Sequence, residues 1–291
     1  MKQEKPMPFT MDPATTIGHL NLAVKNLEEQ RDFYLKVIGL TELDCKSKYV
    51  DLGIPGKLIL RLKHCPDGIQ YPQAPGLFHM AIRLPGPEAL GQWLKHLRES
   101  RYPLGGAGDH LVSEALYLTD PEGNGIEIYY DRPKDQWEYN ENGIKMDTLA
   151  VDLESLLKKA DDRPFTGLPP GSSLGHIHLR VEDVNKAVEF YRDVLGFQVM
   201  ALWPGAGFLS AGGYHHHIGV NMWNSRGAQP APADSLGLVS YTILLAKQEA
   251  RNDLLDHLNR QKQEIEKSGE DWVLKDPSQN EIMLKVADQT I

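Results

Sequence analysis

The chain has 291 residues, 41% of them hydrophobic and 24% charged, a formal net charge of -9 and a pI near 5.7. That length favours about two domains with a sizeable core, and the acidic balance argues against nucleic acid or an anionic membrane as partner. No apolar run is long enough for a membrane span, and the two cysteines, Cys45 and Cys65, form no CxxC pair, so free thiols in a reducing cytoplasm are expected.

Residues 1–16 read as a polar, proline-bearing, loosely held arm without the apolar centre of a signal peptide. GHLNLAV (18–24) has the alternation of a strand. Asn26 is a candidate helix cap, and LEEQRDFYLKVIG (27–39) an amphipathic helix ending at Gly39. Short strands follow around 49–52 and 57–63. GLFHMAIRL (76–84) is a strand again. Pro85-Gly86-Pro87 then opens a helix that puts Leu90, Trp93, Leu94 and Leu97 on one face.

Residues 131–170 break this rhythm with DRPKDQWEYNENG, a short helical run and a Pro/Gly-rich turn region, and read as a connector. The pattern then restarts. GHIHLRVEDVNKAVEFYRDVLGF (175–197) mirrors GHLNLAVKNLEEQRDFYLKVIGL (18–40) at one constant offset: 176 − 19, 190 − 33 and 196 − 39 all equal 157. FLSAGGYHHHIGVNMW and GLVSYTILL (237–245) supply further strands. A helix around Leu254, Leu255 and Leu258 and the strand-forming DPSQNEIMLKV complete the last unit. The chain is therefore a two-level repeat of four βαβββ modules of about 60 residues, with pairs of modules at 17–130 and 171–288. A single module cannot bury its sheet face alone, so modules must pair, making an α+β fold of two half-open sheet cups.

Gly108 to Glu127, GDHLVSEALYLTDPEGNGIE, runs loop, strand, turn, strand. Alternation puts Glu127 on the face of Tyr129, with Ile126, Ile128 and Tyr130 on the other. A carboxylate among such neighbours needs solvent, a donor or a cation.

The spacing of Gly108, His110, Leu116, Tyr117, Asp120, Pro121, Gly123 and Glu127 resembles the signature of extradiol ring-cleavage (catechol 2,3-) dioxygenases. Those enzymes belong to the vicinal-oxygen-chelate superfamily, and the module pattern resembles that fold over nearly the whole chain. In that superfamily the first and last strands of a module supply metal ligands. Here the resemblance aligns first-strand positions His19, His79, His176 and Ser240, and last-strand positions near Leu60, Glu127, Val220 and Met283. One carboxylate is on offer, because Glu281 falls opposite Gly125 when the two Asp-Pro turns are aligned. The implied metal set is His79, Glu127 and a second histidine. It is His176 if modules two and three pair, the preferred arrangement, and His19 if modules pair in chain order.

Two histidines and one carboxylate suit Fe(II), with Mn(II) not separable by residue type, and leave adjacent positions for a catechol and O2. The resemblance implies His110, Tyr117, His216 and His217 as catalytic groups for proton transfer and hydrogen bonding. His178 is a candidate pocket lining, and Phe78, Trp203, Phe208 and Trp223 are candidate walls. His64, His96 and His257 read as solvated. The implied partners are a small aromatic diol and O2, with a homo-oligomer left open. The rival readings are a glyoxalase-type metal-dependent lyase or isomerase, which would want four ligands, and a non-catalytic binder of aromatic ligands.

Overall fold

The computed structural model describes residues 8–141 and 143–287. Residues 1–7 of the expected arm, and residue 288 at the end of the second expected pair, lie outside that range. The part of the arm inside it is docked: Phe9 stacks on His257 at 4.3 Å, Met11 donates its N–H to the Gly196 carbonyl at 2.8 Å, and the Met11 side chain is buried.

Module one comprises β1 (Thr16–Val24), α1 (Leu27–Phe33), β2 (Thr41–Lys46), β3 (Tyr49–Ile54) and β4 (Lys57–His64). Module two comprises β5 (Gly76–Leu84), α2 (Pro87–Ser100), β6 (Gly106–Asp109), β7 (Ser113–Thr119) and β8 (Gly125–Asp131). The connector holds a small hairpin, β9 (Tyr139–Asn140) with β10 (Gly143–Ile144), and α3 (Leu153–Lys158). Module three follows as β11 (Ser173–Arg180), α4 (Val184–Glu189), β12 (Gln198–Trp203), β13 (Ala206–Ser210) and β14 (Ile218–Asn221). Module four is β15 (Gly237–Leu245), α5 (Gln248–Arg260), β16 (Glu266–Ser268), β17 (Asp271–Lys275) and β18 (Glu281–Val286).

Local chemistry sets the helix ends as expected. The Asn26 side chain accepts from the Glu29 N–H, and Asp183 does the same service for α4. Both helices run on through a π-helical turn, Tyr34–Ile38 and Phe190–Val194, and Gly39 (φ 89°) closes the first one. No helix among the described residues is long and apolar enough to cross a membrane. Cys45 and Cys65 are free thiols.

Two eight-stranded sheets carry the architecture. The inner sheet has the order β12-β13-β14-β11-β5-β8-β7-β6 and so joins modules two and three; the outer sheet, β16-β17-β18-β15-β1-β4-β3-β2, joins modules one and four. In every module the first and last strands lie parallel, and at the centre of each sheet two first strands meet antiparallel. The chain division 17–130 and 171–288 therefore does not coincide with the sheets, since each sheet takes one module from either side of the connector. Consecutive modules are held instead by a repeated clasp. Tyr34 donates to Asp120 at 3.0 Å and Tyr191 donates to Asp276 at 3.0 Å, each phenol reaching the Asp-Pro turn of the next module. The two Phe-Tyr pairs of the sequence repeat thus have one job in both halves.

The main core cluster includes Leu20, Leu22, Leu60 and Ile243 of the outer sheet together with Met80, Ile126, Ile128 and Ile177 of the inner one. Burying these aliphatics removes apolar area from water at about 25 cal/mol per Å². It also fixes register, because slipping a strand by one residue would exchange its core and cup faces.

Candidate metal centre

Glu127 sits on β8 beside Ala81 of β5, and Tyr117 of β7 is its partner on the other side. Ile126, Ile128 and Tyr130 turn into the core, so Glu127 faces the concave side of the inner sheet. The β5–β11 pairing brings His79 opposite His178 and Ala81 opposite His176. Ala81 is the small residue that leaves room there. Gly175 does the same next to His176: a Cβ on it would lie 1.8 Å from the Tyr129 hydroxyl.

The outcome is one group in which donor atoms of His79, Glu127 and His176 all lie within 4.8 Å of one another. Glu127 Oε2 is 3.1 Å from His79 Nε2 and 3.2 Å from His176 Nε2. All three residues are buried. His79 Nε2 makes no aligned hydrogen bond despite its short approach, so it and the carboxylate point past one another toward a common position. Burial opposes the charge on Glu127, but the two imidazoles outweigh it and hold the carboxyl well below its usual range. Burial lowers His176 to about 4. At neutral pH the group is a carboxylate with a neutral imidazole beside it, the protonation state in which such residues bind a metal.

The residues fit a divalent ion. Donors about 2.1 Å from an ion and at right angles stand about 3.0 Å apart, close to the two separations seen. A buried imidazole nitrogen left without a partner costs about 1–3 kcal/mol, a penalty that a bound ion removes.

Other candidates divide sharply. His110 Nδ1 faces the Asp147 carbonyl oxygen at 2.9 Å, and its Nε2 lies 2.6 Å from the Tyr117 hydroxyl. A carbonyl only accepts, so Nδ1 carries the proton, and in the neutral ring Nε2 accepts from Tyr117. Burial and the adjacent Glu127 push the Tyr117 phenol well above its ordinary value. His216 lines the same pocket, with its ring 4.1 Å from that of His176. Behind it runs a relay: His216 Nδ1 to His215 Nδ1 at 2.8 Å, then His215 Nε2 to Asp131 Oδ1 at 2.8 Å. Asp131 only accepts, so His215 donates from Nε2; with His215 Nδ1 as the acceptor, His216 donates from Nδ1 and its Nε2 keeps its lone pair.

His217 is elsewhere. Its Nδ1 accepts from the Ala211 N–H at 3.2 Å and meets Ser210 Oγ at 3.0 Å, and burial lowers it to about 3. The expectation of a catalytic His217 is corrected accordingly: residues 214–217 form a loop before β14, where strand alternation does not apply. His19 lies in the outer sheet, with its Nδ1 3.4 Å from Thr242 Oγ1. His96 and His257 are packing residues, stacked on Phe165 and Phe9, whereas His64 is exposed.

Phe78, Trp203, Phe208 and Trp223 line the cavity, about 250 Å³, with His178. So do Met146 and Thr148 of the connector, which sequence reasoning left out; no short-range pattern ties the connector to the cavity. Asp131 was also missed, although it lies four residues past Glu127 on the same strand face.

The Glyoxalase/Bleomycin resistance protein/Dioxygenase superfamily matches residues 16–128 and 173–243. A catechol-2,3-dioxygenase of Bacillus subtilis (strain 168) is 42% identical over 269 residues, covering 90% of this chain and 94% of that protein. A solved Bacillus subtilis structure is similar in fold, with a TM-score of 0.61 at 13% identity over 96% of this chain and 87% of its own. Glyoxalase I from Zea mays gives 0.56 at 13% identity over 93% and 92%. With its repeated modules, paired sheets and matched residues, the chain belongs to the Glyoxalase/Bleomycin resistance protein/Dioxygenase superfamily.

Proposed function

We propose that this chain is an extradiol dioxygenase that cleaves the ring of a catechol next to the diol, with a divalent metal held by His79, Glu127 and His176. The observation that carries the reading is a set of three buried donors at the base of an aromatic-walled cavity. The 42% identity to a catechol-2,3-dioxygenase supports it. Fe(II) suits this donor set, and Mn(II) does equally. The metal would supply a Lewis acid that lowers the pKa of a bound hydroxyl, and adjacent open positions for diol and O2.

The chain's own groups account for the rest. Burial holds the His216 imidazole well below its ordinary value, so it is neutral. With Nδ1 tied to His215, its free Nε2 takes a proton from the diol. His110 fixes the direction of the Tyr117 hydroxyl beside Glu127, giving an oriented dipole at the reacting face. Phe78, Phe208, Trp203 and Trp223 bury the ring and exclude water. Both oxygen atoms of O2 enter the product, a muconic semialdehyde.

A four-ligand lyase or isomerase is less well supported, because β14 presents Gly219 where β8 presents Glu127. A non-catalytic binder would have no use for buried imidazoles lacking partners. The test is anaerobic reconstitution with Fe(II), then oxygen uptake and appearance of a yellow product on adding catechol. One O2 consumed per catechol is expected; a loaded protein that binds catechol and consumes none sinks the proposal.

A further inference from the structure

The two modules of the inner sheet solve one packing problem in opposite ways. In module two the first strand carries a small residue and the last a large one, Ala81 beside Glu127. In module three the first strand carries the large one, His178 beside Gly219. A Cβ on Gly219 would come 2.9 Å from Cγ of His178 and 3.0 Å from its Nδ1, so the imidazole lies across the glycine and fills that volume. The ring is 4% exposed and stands 4.9 Å from the His79 ring and 5.1 Å from Phe78. It is a wall of the same cavity, yet it is not one of the three converging donors.

The Nδ1 side of the ring lies against β14 at Gly219. Nε2 is buried and has no partner. With the proton on Nδ1, Nε2 holds a lone pair. An unmet acceptor there destabilises the fold, and an apolar side chain would have filled the gap without that cost. Dioxygen offers no proton to such a lone pair, whereas a diol does.

We propose that His178 is a substrate-binding group whose Nε2 accepts a hydrogen bond from a hydroxyl of the diol bound in this pocket. It rests on the dioxygenase reading above. His178 and His216 then approach the diol as two acceptors on different strands. A diol with free hydroxyls satisfies both, and a ring bearing only ethers satisfies neither.

The test is the anaerobic dissociation constant for catechol, measured spectroscopically on metal-loaded wild type, His178→Leu and His178→Gln. Leucine keeps the volume, and glutamine restores a polar atom near the Nε2 position. About tenfold weaker binding by His178→Leu is expected, with His178→Gln within about threefold of wild type and metal content equal in all three. Equal binding by His178→Leu would reduce the residue to a wall, and loss of metal from that variant would make it a ligand; either overturns the proposal and leaves the dioxygenase reading intact. Failure of loaded wild type to bind catechol would remove both. Gly219→Ala keeps the imidazole and displaces it, so it should weaken catechol in the same direction with metal retained; unchanged affinity there also overturns the proposal.

Discussion

At matching positions the two sheets carry different chemistry. Where the inner cup has His79, Ala81, Glu127 and Tyr117, the outer cup has His19, Asn21, Arg61 and Asp51. Where the inner cup has His176, His178 and Gly219, the outer has Ser240, Thr242 and Met283. The outer groups satisfy one another. Asn21 donates to Ser240 at 2.7 Å and toward Met283 Sδ at 3.7 Å, and Arg61 makes two bonds to Asp51, at 2.5 and 2.6 Å. In the inner cup His79 Nε2, His176 Nδ1 and His178 Nε2 have no partner. Buried polar atoms are normally paired, so one repeat has settled into structure while the other keeps unmet groups for something else to meet.

The largest expected effect comes from the residue that most separates the cups. Glu127→Ala removes the only carboxylate of the three-donor group, and metal content and catechol-dependent oxygen uptake should both fall to background. Met283→Ala, at the outer-cup position that matches Gly219, should leave both at wild-type levels; metal analysis and an oxygen electrode read the pair directly. Next comes the relay. Asp131→Asn keeps the shape but offers an amide to His215, which disturbs the tautomer chain to His216. A fall in kcat on the order of 100-fold with metal retained is expected, and an unchanged kcat would disconnect Asp131 from the chemistry. Tyr117→Phe removes the hydroxyl held by His110 and should cost about tenfold in kcat/KM.

A substitution confined to the outer cup should move stability alone. Arg61→Leu leaves the Asp51 carboxylate, 12% exposed, without its guanidinium. Because Arg61 is itself a third exposed, water will take up part of the loss, and about 2 kcal/mol in urea unfolding is expected. Loss of oxygen uptake in that variant at 25 °C would show that the cups are not independent.

Much of this contrast was legible in the chain. The 157-residue offset gave the module repeat, strand alternation gave the face of Glu127, and aligned Asp-Pro turns matched Glu281 to Gly125, in line with the pairing of Glu281 with Ser240 and of Gly125 with His79. Register was harder. The outer and third-module counterparts of Glu127 are Arg61 and Gly219, each one residue from the expected Leu60 and Val220. The turns before β4 and β14 lack an Asp-Pro landmark, and bulges between β1 and β15 and between β5 and β11 shift the count. His216 and His217 could not be told apart, because their orientation is set by Asp131 and Ala211, partners distant in sequence or in a loop. Inner pairing of modules, which favours His176 over His19, follows from sheet assembly and not from any local signal.

His19 offers the finest test. Burial, with Lys285 and Arg61 adding to it, lowers its pKa from 6.5 to about 4. The unfolded chain therefore binds this proton more readily than the folded one, so the stability linked to neutral His19 is complete above pH 6.5 and is lost as pH falls toward 4. Replacing it with glutamine removes that linkage while keeping a polar group near Thr242. Between pH 7 and pH 4.5 wild type should lose roughly 1–2 kcal/mol more than His19→Gln, allowing for partial exposure. Urea unfolding of both proteins at the two pH values gives the difference, in which titrations common to both cancel. Parallel pH dependence would mean that His19 is hydrated rather than held neutral in the fold. A matching drop in metal content at pH 7 would mean instead that the outer cup helps to hold the ion, and the separation between the two cups would fail.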